Sequence, residues 1–146
     1  MRFNYISETS DGMGFALRTL AEGNDSRIWI RDLNAAAVGD FLVPKAEGIE
    51  EMIGSADSKN DIFVFDSSGN GVIADGLRSM GYYVIGGSLI ADRLEKDRGF
   101  ARKAMESSGI VTPQTHSFVS FDDAIEFAGG LAPKDRVVYK PSGRLG

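Results

Sequence analysis

The chain has 146 residues, of which 42% are hydrophobic and 25% are charged, and its formal net charge is −5. This composition is typical of a globular protein, and a negative balance without a basic stripe argues against a general nucleic-acid-binding role. Cysteine is absent, which excludes disulfides and thiolate catalysis, and no stretch approaches the ~20 apolar residues that span a bilayer, so we expect a cytoplasmic protein that contacts no membrane.

Short apolar segments alternate with helical patterns in the first 87 residues. Strands are predicted at residues 3–7, 27–32, 60–66 and 82–87. Helices are predicted at residues 11–23, within 46–60 and at 71–81. Strands that alternate with helices indicate an α/β fold with a Rossmann-like parallel sheet and helices on both faces.

The pattern changes after Gly87. Residues 88–109 form a long, charged helical stretch, which is one helix or two because Asp97 and Gly99 lie in its middle. A helix is then predicted at 120–130, with Ser120 as its N-cap, and a strand at 136–140. We therefore place a domain boundary near residue 90, which gives a Rossmann-like N-terminal domain at 1–90 and a second part at 91–146.

The turn between the first strand and the first helix is a candidate anion site. Open α/β sheets bind ligands at such turns, and the backbone of Gly12, Met13 and Gly14 would approach a phosphate closely at a helix N-terminus. A dinucleotide site is an alternative, because Asp32 follows Gly12 by twenty residues at the end of the second strand. A third interpretation is that the glycines only make a tight turn.

Asp66 is a second candidate for substrate contact. It ends the most apolar strand of the chain and precedes the polar turn 67–71, so it is placed at the carboxyl edge of the sheet. The alternative is that Asp66 caps its own turn. The only histidine, His116, lies in a polar stretch without other histidines or acids nearby in sequence, which is not a pattern for catalysis or metal binding.

The second half of the chain resembles a known family. The segment "VIGGSLIADRLEKDRGFARKAMESSGIVTPQTHSF" is followed about twenty residues later by "VVYKPSGRLG". This series resembles the join between the N-terminal (pre-ATP-grasp) domain and the ATP-grasp domain of phosphoribosylamine–glycine ligases. The resemblance covers residues 84–146, and the first half is similar only in architecture.

The resemblance implies a function and two ATP-binding residues. Lys140 matches the family's lysine at the ATP phosphates, Arg98 matches a basic residue near the ATP phosphates or base, and 142–146 match the start of its glycine-rich phosphate loop. From spacing alone, the alternatives are that Arg98 lies on a solvated helix face and that Lys140 is a strand-end lysine in solvent. The whole enzyme would be an ATP-dependent carbon–nitrogen ligase of purine biosynthesis that joins a carboxylate to an amine through an acyl phosphate. The chain then looks like an N-terminal fragment whose Mg²⁺ ligands lie beyond residue 146, and it is expected to be inactive alone.

The first turn differs from the family. Phosphoribosylamine–glycine ligases usually carry a glycine-rich loop with Arg, Glu and His here, whereas this chain has "SETSDGMGF", with two acids and no base. The identity of the two joined substrates is therefore open. The alternative from another class is a non-catalytic Rossmann-type module that binds a nucleotide or a sugar phosphate.

Overall fold

The computed structural model describes residues 1–141, which form four strands and six helices. The strands are β1 (Arg2–Ser7), β2 (Asp25–Ile30), β3 (Asp61–Phe65) and β4 (Tyr83–Ile85). The helices are α1 (Met13–Ala21), α2 (Ile49–Gly54), α3 (Gly71–Ser79), α4 (Leu89–Lys96), α5 (Arg98–Ser107) and α6 (Phe121–Gly129). Within these residues, every helix is too short or too polar to cross a bilayer. The chain divides into two compact units, Met1–Asp92 and Arg93–Gly146.

The first unit is built on one parallel sheet with the strand order β2-β1-β3-β4. The register places Tyr5 of β1 beside Ile28 of β2 and Val64 of β3. All pairings in this sheet are parallel, which confirms the predicted α/β class. Parallel neighbours need a crossover connection, and each of the predicted helices α1, α2 and α3 supplies one.

Alternate strand residues point to opposite faces of the sheet and form two separate clusters. On one face, Ile6 and Phe63 pack with Met52 of α2 and Leu77 of α3. On the other face, Tyr5 and Ile28 pack with Met13 and Ala16 of α1. Because α1 lies on one face and α2 and α3 on the other, the prediction of helices on both faces is confirmed.

A buried carboxylate joins β1 and β3 at the amino end of the sheet. Asp61 is 2% exposed, and its Oδ1 accepts hydrogen bonds from Arg2 Nε at 2.6 Å and Asn4 Nδ2 at 2.8 Å. Its Oδ2 accepts the backbone N–H of Asp57 at 2.8 Å. Burial opposes ionisation of this carboxyl, but the bonds from Arg2, Asn4 and Asp57 outweigh it and hold the pKa of Asp61 below 3.8, the value of an unperturbed aspartate.

The second unit is described from Arg93 to residue 141 and contains capped helices. The predicted long helical stretch is two helices, because Asp97 ends α4 and caps α5 by accepting the N–H of Phe100 at 2.9 Å. Ser120 caps α6 as predicted, with its hydroxyl oxygen accepting the N–H of Asp123 at 3.2 Å. The guanidinium of Arg93 lies 4.0 Å from the ring centre of Phe100.

The predicted strand at 136–140 is wrong. Residues 135–141 have no regular secondary structure, and Val138 is 81% exposed. Val, Val and Tyr favour strands, but a strand is stabilised by hydrogen bonds to a neighbour, and residues 93–141 contain no other strand that would provide them. The beginning of an ATP-grasp lobe therefore stays a prediction.

The Asp61 cluster predicts a defined loss of stability in acid. Since the pKa of Asp61 is lower in the folded chain, its contribution to the free energy of unfolding is complete above about pH 5 and is lost as the pH falls through the folded-state pKa. We expect Asp61→Asn to lower the free energy of unfolding at pH 7 by about 3 kcal/mol, since it leaves Arg2 without its charged partner. Urea unfolding between pH 2 and 7 measures both effects.

The matched control for this prediction is Asp11→Asn, at an exposed acid before α1 whose side chain bonds only Thr9 within the described residues and which lies at the opposite edge of the sheet. We expect it to change the free energy of unfolding by less than about 0.5 kcal/mol. The acid-dependent part of the unfolding free energy should shrink in the Asp61 variant and stay in the control. Equal pH profiles in the two variants would contradict the role of Asp61.

Candidate functional site

The candidate site lies at the carboxyl edge of the sheet, between β1 and β3. The chain leaves β1 toward β2 on one side and leaves β3 toward β4 on the other, so the two connections diverge here. Ligands of open α/β proteins bind at such switch points. Gly12, Met13 and Gly14 follow β1 and Asp66 follows β3, and the structure brings the loop at Gly12 into contact with Asp66.

The carboxylate of Asp66 holds the start of α1. Its Oδ2 accepts the backbone N–H of Gly12 at 2.5 Å and the hydroxyl of buried Ser7. The hydroxyl oxygen of Ser7 in turn accepts the N–H of Ser10 at 3.0 Å. Gly12 is the N-cap residue of α1 and has no side chain to cap the helix. Asp66, directly after β3, accepts the N–H of Gly12 itself, as the acid at the third helical position does in a capping box.

This arrangement changes the chemistry expected for the turn. The N–H of Gly12 is taken by Asp66, and the N–H of Met13 donates to the carbonyl oxygen of Ser10 at 3.0 Å. An external phosphate would find two of the three proposed amides occupied and would face a carboxylate. The same carboxylate opposes the pyrophosphate of a dinucleotide, and Asp32 accepts hydrogen bonds from its neighbour Asn34 at 2.9 and 3.0 Å.

Asp66 is also incompletely satisfied. Its Oδ1 is buried and accepts no hydrogen bond from any group within residues 1–141. A buried polar atom in a native protein normally has a partner, and exceptions point to a functional group or an unseen ligand. One oxygen of Asp66 therefore lacks a hydrogen-bond donor at the switch point, and within residues 1–141 no cation forms an ion pair with this carboxylate.

A second carboxylate holds the start of α3, and the sequence analysis missed it. Asp92 of α4 is buried, and its two oxygens accept the N–H groups of Gly69 and Gly71, each at 2.7 Å. Gly71 lies so close to the backbone of Ser88 that an added Cβ would come within 2.3 Å of its carbonyl carbon. The only signal in the sequence is an acid directly after the apolar triplet Leu-Ile-Ala at the start of a helix, which is weak.

The charges at this edge are mostly negative. Arg31 follows β2 and pairs with Glu8, with Nη1 and Oε2 3.0 Å apart, and the same Nη1 donates to Asn70 Oδ1 at 3.0 Å. Asp66 accepts a backbone amide and the hydroxyl of Ser7, and Asp92 accepts two backbone amides. This edge therefore favours ligands with positive charge or hydrogen-bond donors over phosphates.

The predicted ATP-binding residues lie in the second unit. Arg98 begins α5, and its Nε donates to the carbonyl oxygen of Pro141 at 2.8 Å, directly after Lys140. This contact brings the chain around Lys140 to Arg98 across 43 positions of sequence. The predicted glycine-rich phosphate loop at 142–146 lies outside the described residues.

Residues 1–141 contain no cluster of three or more His, Asp or Glu side chains placed to hold an ion. They therefore do not fit Mg²⁺, whose ligands were expected beyond residue 146. His116 packs against Phe127, with ring centres 4.4 Å apart.

Comparison with known proteins adds no relative: neither protein-family models nor curated protein sequences match this chain.

Two glycines of the turn predict opposite effects of the same substitution. A Cβ on Gly12 would lie 2.9 Å from Asp66 Oδ2, and Asp66 cannot move without weakening its bonds to Gly12 and Ser7. A Cβ on Gly14 has open space around it. We expect Gly12→Ala to lower the free energy of unfolding by about 1–3 kcal/mol, and Gly14→Ala to raise it by up to about 1 kcal/mol through better helix propensity.

Urea unfolding at pH 7 of the two variants and the parent chain measures both values. Each variant serves as the control for the other, since the same methyl group is added two residues apart. If Gly12→Ala were as stable as Gly14→Ala, Asp66 would not lie close enough to Gly12 to clash with an added Cβ.

Proposed function

We propose that the chain is the N-terminal part of an ATP-dependent carboxylate–amine ligase of the ATP-grasp class. The observation that carries the proposal is the hydrogen bond from Arg98 to Pro141, which places the two predicted ATP-binding residues in one part of the second unit. The motif series over residues 84–146 is the supporting argument from sequence. The all-parallel sheet of the first unit is compatible with the N-terminal domain of such enzymes.

The proposed roles follow from charge. In the reaction, a carboxylate oxygen attacks the γ-phosphorus of ATP, the bond to the β-phosphate oxygen breaks, and ADP leaves. The amine nitrogen then attacks the acyl carbon, phosphate leaves, and the nitrogen loses a proton. The first step brings two negatively charged groups together, the carboxylate and the ATP phosphates, so the cations Arg98 and Lys140 would lower its barrier by neutralising and positioning the phosphates.

Arg98 and Lys140 suit different parts of this task. The guanidinium of Arg98 is fixed by its backbone bond to Pro141, and its remaining N–H groups stay available for a phosphate. Lys140 is exposed and forms no hydrogen bond or ion pair within residues 1–141 that would compete with a nucleotide. The rigid guanidinium of Arg98 and the flexible ammonium of Lys140 together would bind a polyphosphate better than either group alone.

The alternative function, a stand-alone module for a nucleotide or a sugar phosphate, gains no support from the first unit. Its phosphate would have to bind where Asp66 and Asp92 already accept the backbone amides of α1 and α3. In the ligase, by contrast, the phosphates belong to the second unit. The ligase is therefore favoured over the stand-alone module.

The test uses Lys140 in the protein that contains this chain. With Mg²⁺, ATP and a mixture of carboxylates and amines, we expect Lys140→Ala to reduce ADP release by at least about 100-fold, because a preorganised charge at the phosphates is removed. The matched control is Lys134→Ala, another exposed lysine of the second unit, which should keep activity within about twofold. Equal ADP release by both variants would contradict the proposal.

The 146-residue chain alone is expected to release no ADP above background in the same assay. Exposed charge pairs contribute only ~0–1 kcal/mol each, so its affinity for ATP should be no better than about millimolar. ATP hydrolysis by this chain that is lost on Lys140→Ala would show that the nucleotide site is already complete within it.

A further inference from the structure

A cavity of about 370 Å³ lies beside α1, on the same face of the sheet. On this face α1 packs over β1 and β2, whereas α2 and α3 pack on the opposite face. Phe15 of α1 is 69% exposed and Ile85 of β4 is 57% exposed, although both are large and apolar. The apolar residues that line the cavity are Phe3, Tyr5, Phe15, Val64, Phe65 and Ile85.

Two acids line the same cavity. Asp11 belongs to the turn before α1, and its side chain is exposed and bonded to Thr9 at 3.1 Å. Asp66 follows β3 and carries the buried Oδ1 that has no partner within residues 1–141. The cavity therefore combines an aromatic and aliphatic wall with two acidic residues.

We propose that this cavity binds a small amine whose apolar, preferably aromatic, body contacts Phe15, Val64 and Ile85 and whose ammonium group lies near Asp11 and Asp66. Apolar side chains with a few placed polar groups are typical of small-molecule sites. An ammonium group compensates the negative charge, and its position beside aromatic rings adds a cation–π attraction. A phosphate or carboxylate ligand of the same size would be repelled.

The proposal deepens the ligase reaction by assigning the amine substrate to the first unit, and in that role it rests on the proposed function. The binding itself does not depend on ATP. A metal ion is a poorer occupant, because residues 1–141 place no group of three metal-ligating side chains together. Arg31, a cation at this edge of the sheet, is paired with Glu8 and so is not the partner of Asp66 in the structure.

The experiment compares three probes of similar shape on the 146-residue chain: 2-phenylethylamine, the neutral 2-phenylethanol and the anionic 3-phenylpropionate. Binding is followed by amide chemical shifts of the ¹⁵N-labelled chain at pH 7. We expect the amine to bind about tenfold more tightly than the alcohol, as charged hydrogen bonds and cation–π contacts allow, and 3-phenylpropionate to bind more weakly than either. The shifts should centre on Gly12, Phe15 and Ile85.

Four variants assign the effect. Asp66→Asn keeps an oxygen that can accept the N–H of Gly12, and we expect it to remove the preference for the amine over the alcohol. Asp11→Asn, at an exposed acid whose side chain bonds only the neighbouring Thr9 in the described structure, should reduce that preference about threefold. Asp32→Asn makes the same charge change at the same edge but outside the cavity lining, and it should leave the preference intact. Phe15→Ala should weaken both ligands equally.

Equal affinity for amine and alcohol, or shifts that centre away from the cavity, would overturn the proposal. Loss of the preference in Asp32→Asn as well would also overturn it, because the effect would then be general electrostatics. The two proposals fail separately. If ADP release depends on Lys140 but no amine binds in this cavity, only the amine site is contradicted. If the amine binds but ADP release does not depend on Lys140, only the ligase proposal is contradicted.

Discussion

The site depends on one constraint of a parallel sheet with crossover helices: the N–H groups at the start of each helix need an acceptor. The helices that follow β1 and β3 both begin at the carboxyl edge of the sheet, and each start presents unsatisfied N–H groups and partial positive charge. In many α/β proteins a ligand phosphate fills this role. Here the chain fills it with its own carboxylates, Asp66 at α1 and Asp92 at α3. These carboxylates make the edge less favourable for a phosphate, and this is the basis of both proposals: phosphates in the second unit and an amine in the first.

The regular elements of the first unit were predictable from local patterns, because the apolar residues of each strand and helix recur at the spacing typical of that element. The alternation in "RIWI" reappears as buried Ile28 and Ile30 on one face of β2. Asp97 as a helix break and Ser120 as an N-cap were equally local, and both are found. The strand predicted at 136–140 shows the limit of this reasoning, since a sequence with strand propensity still needs a neighbouring strand for its hydrogen bonds.

The site was only partly predictable, for a related reason. Asp66 could be placed at the edge of the sheet because it ends an apolar strand. Its contact with Gly12, 54 residues earlier, depends on β3 lying next to β1, and no local pattern reports that pairing. Gly12 and Gly14 look alike in the sequence, but only Gly12 faces a carboxylate. The role of Asp92 required knowing where α4 begins relative to α3, so no motif could show it.

The bond between Gly12 and Asp66 also has a consequence for the order of folding. A chain that ends at residue 60 holds β1, α1 and β2 but lacks the acceptor for the first turn of α1. The hydroxyl of Ser7, at the end of β1, lacks its acceptor in the same way, since that acceptor is also Asp66. The helix nearest the N-terminus is therefore completed only when β3 pairs with β1, so a local element acquires its final stability through a contact of long sequence separation.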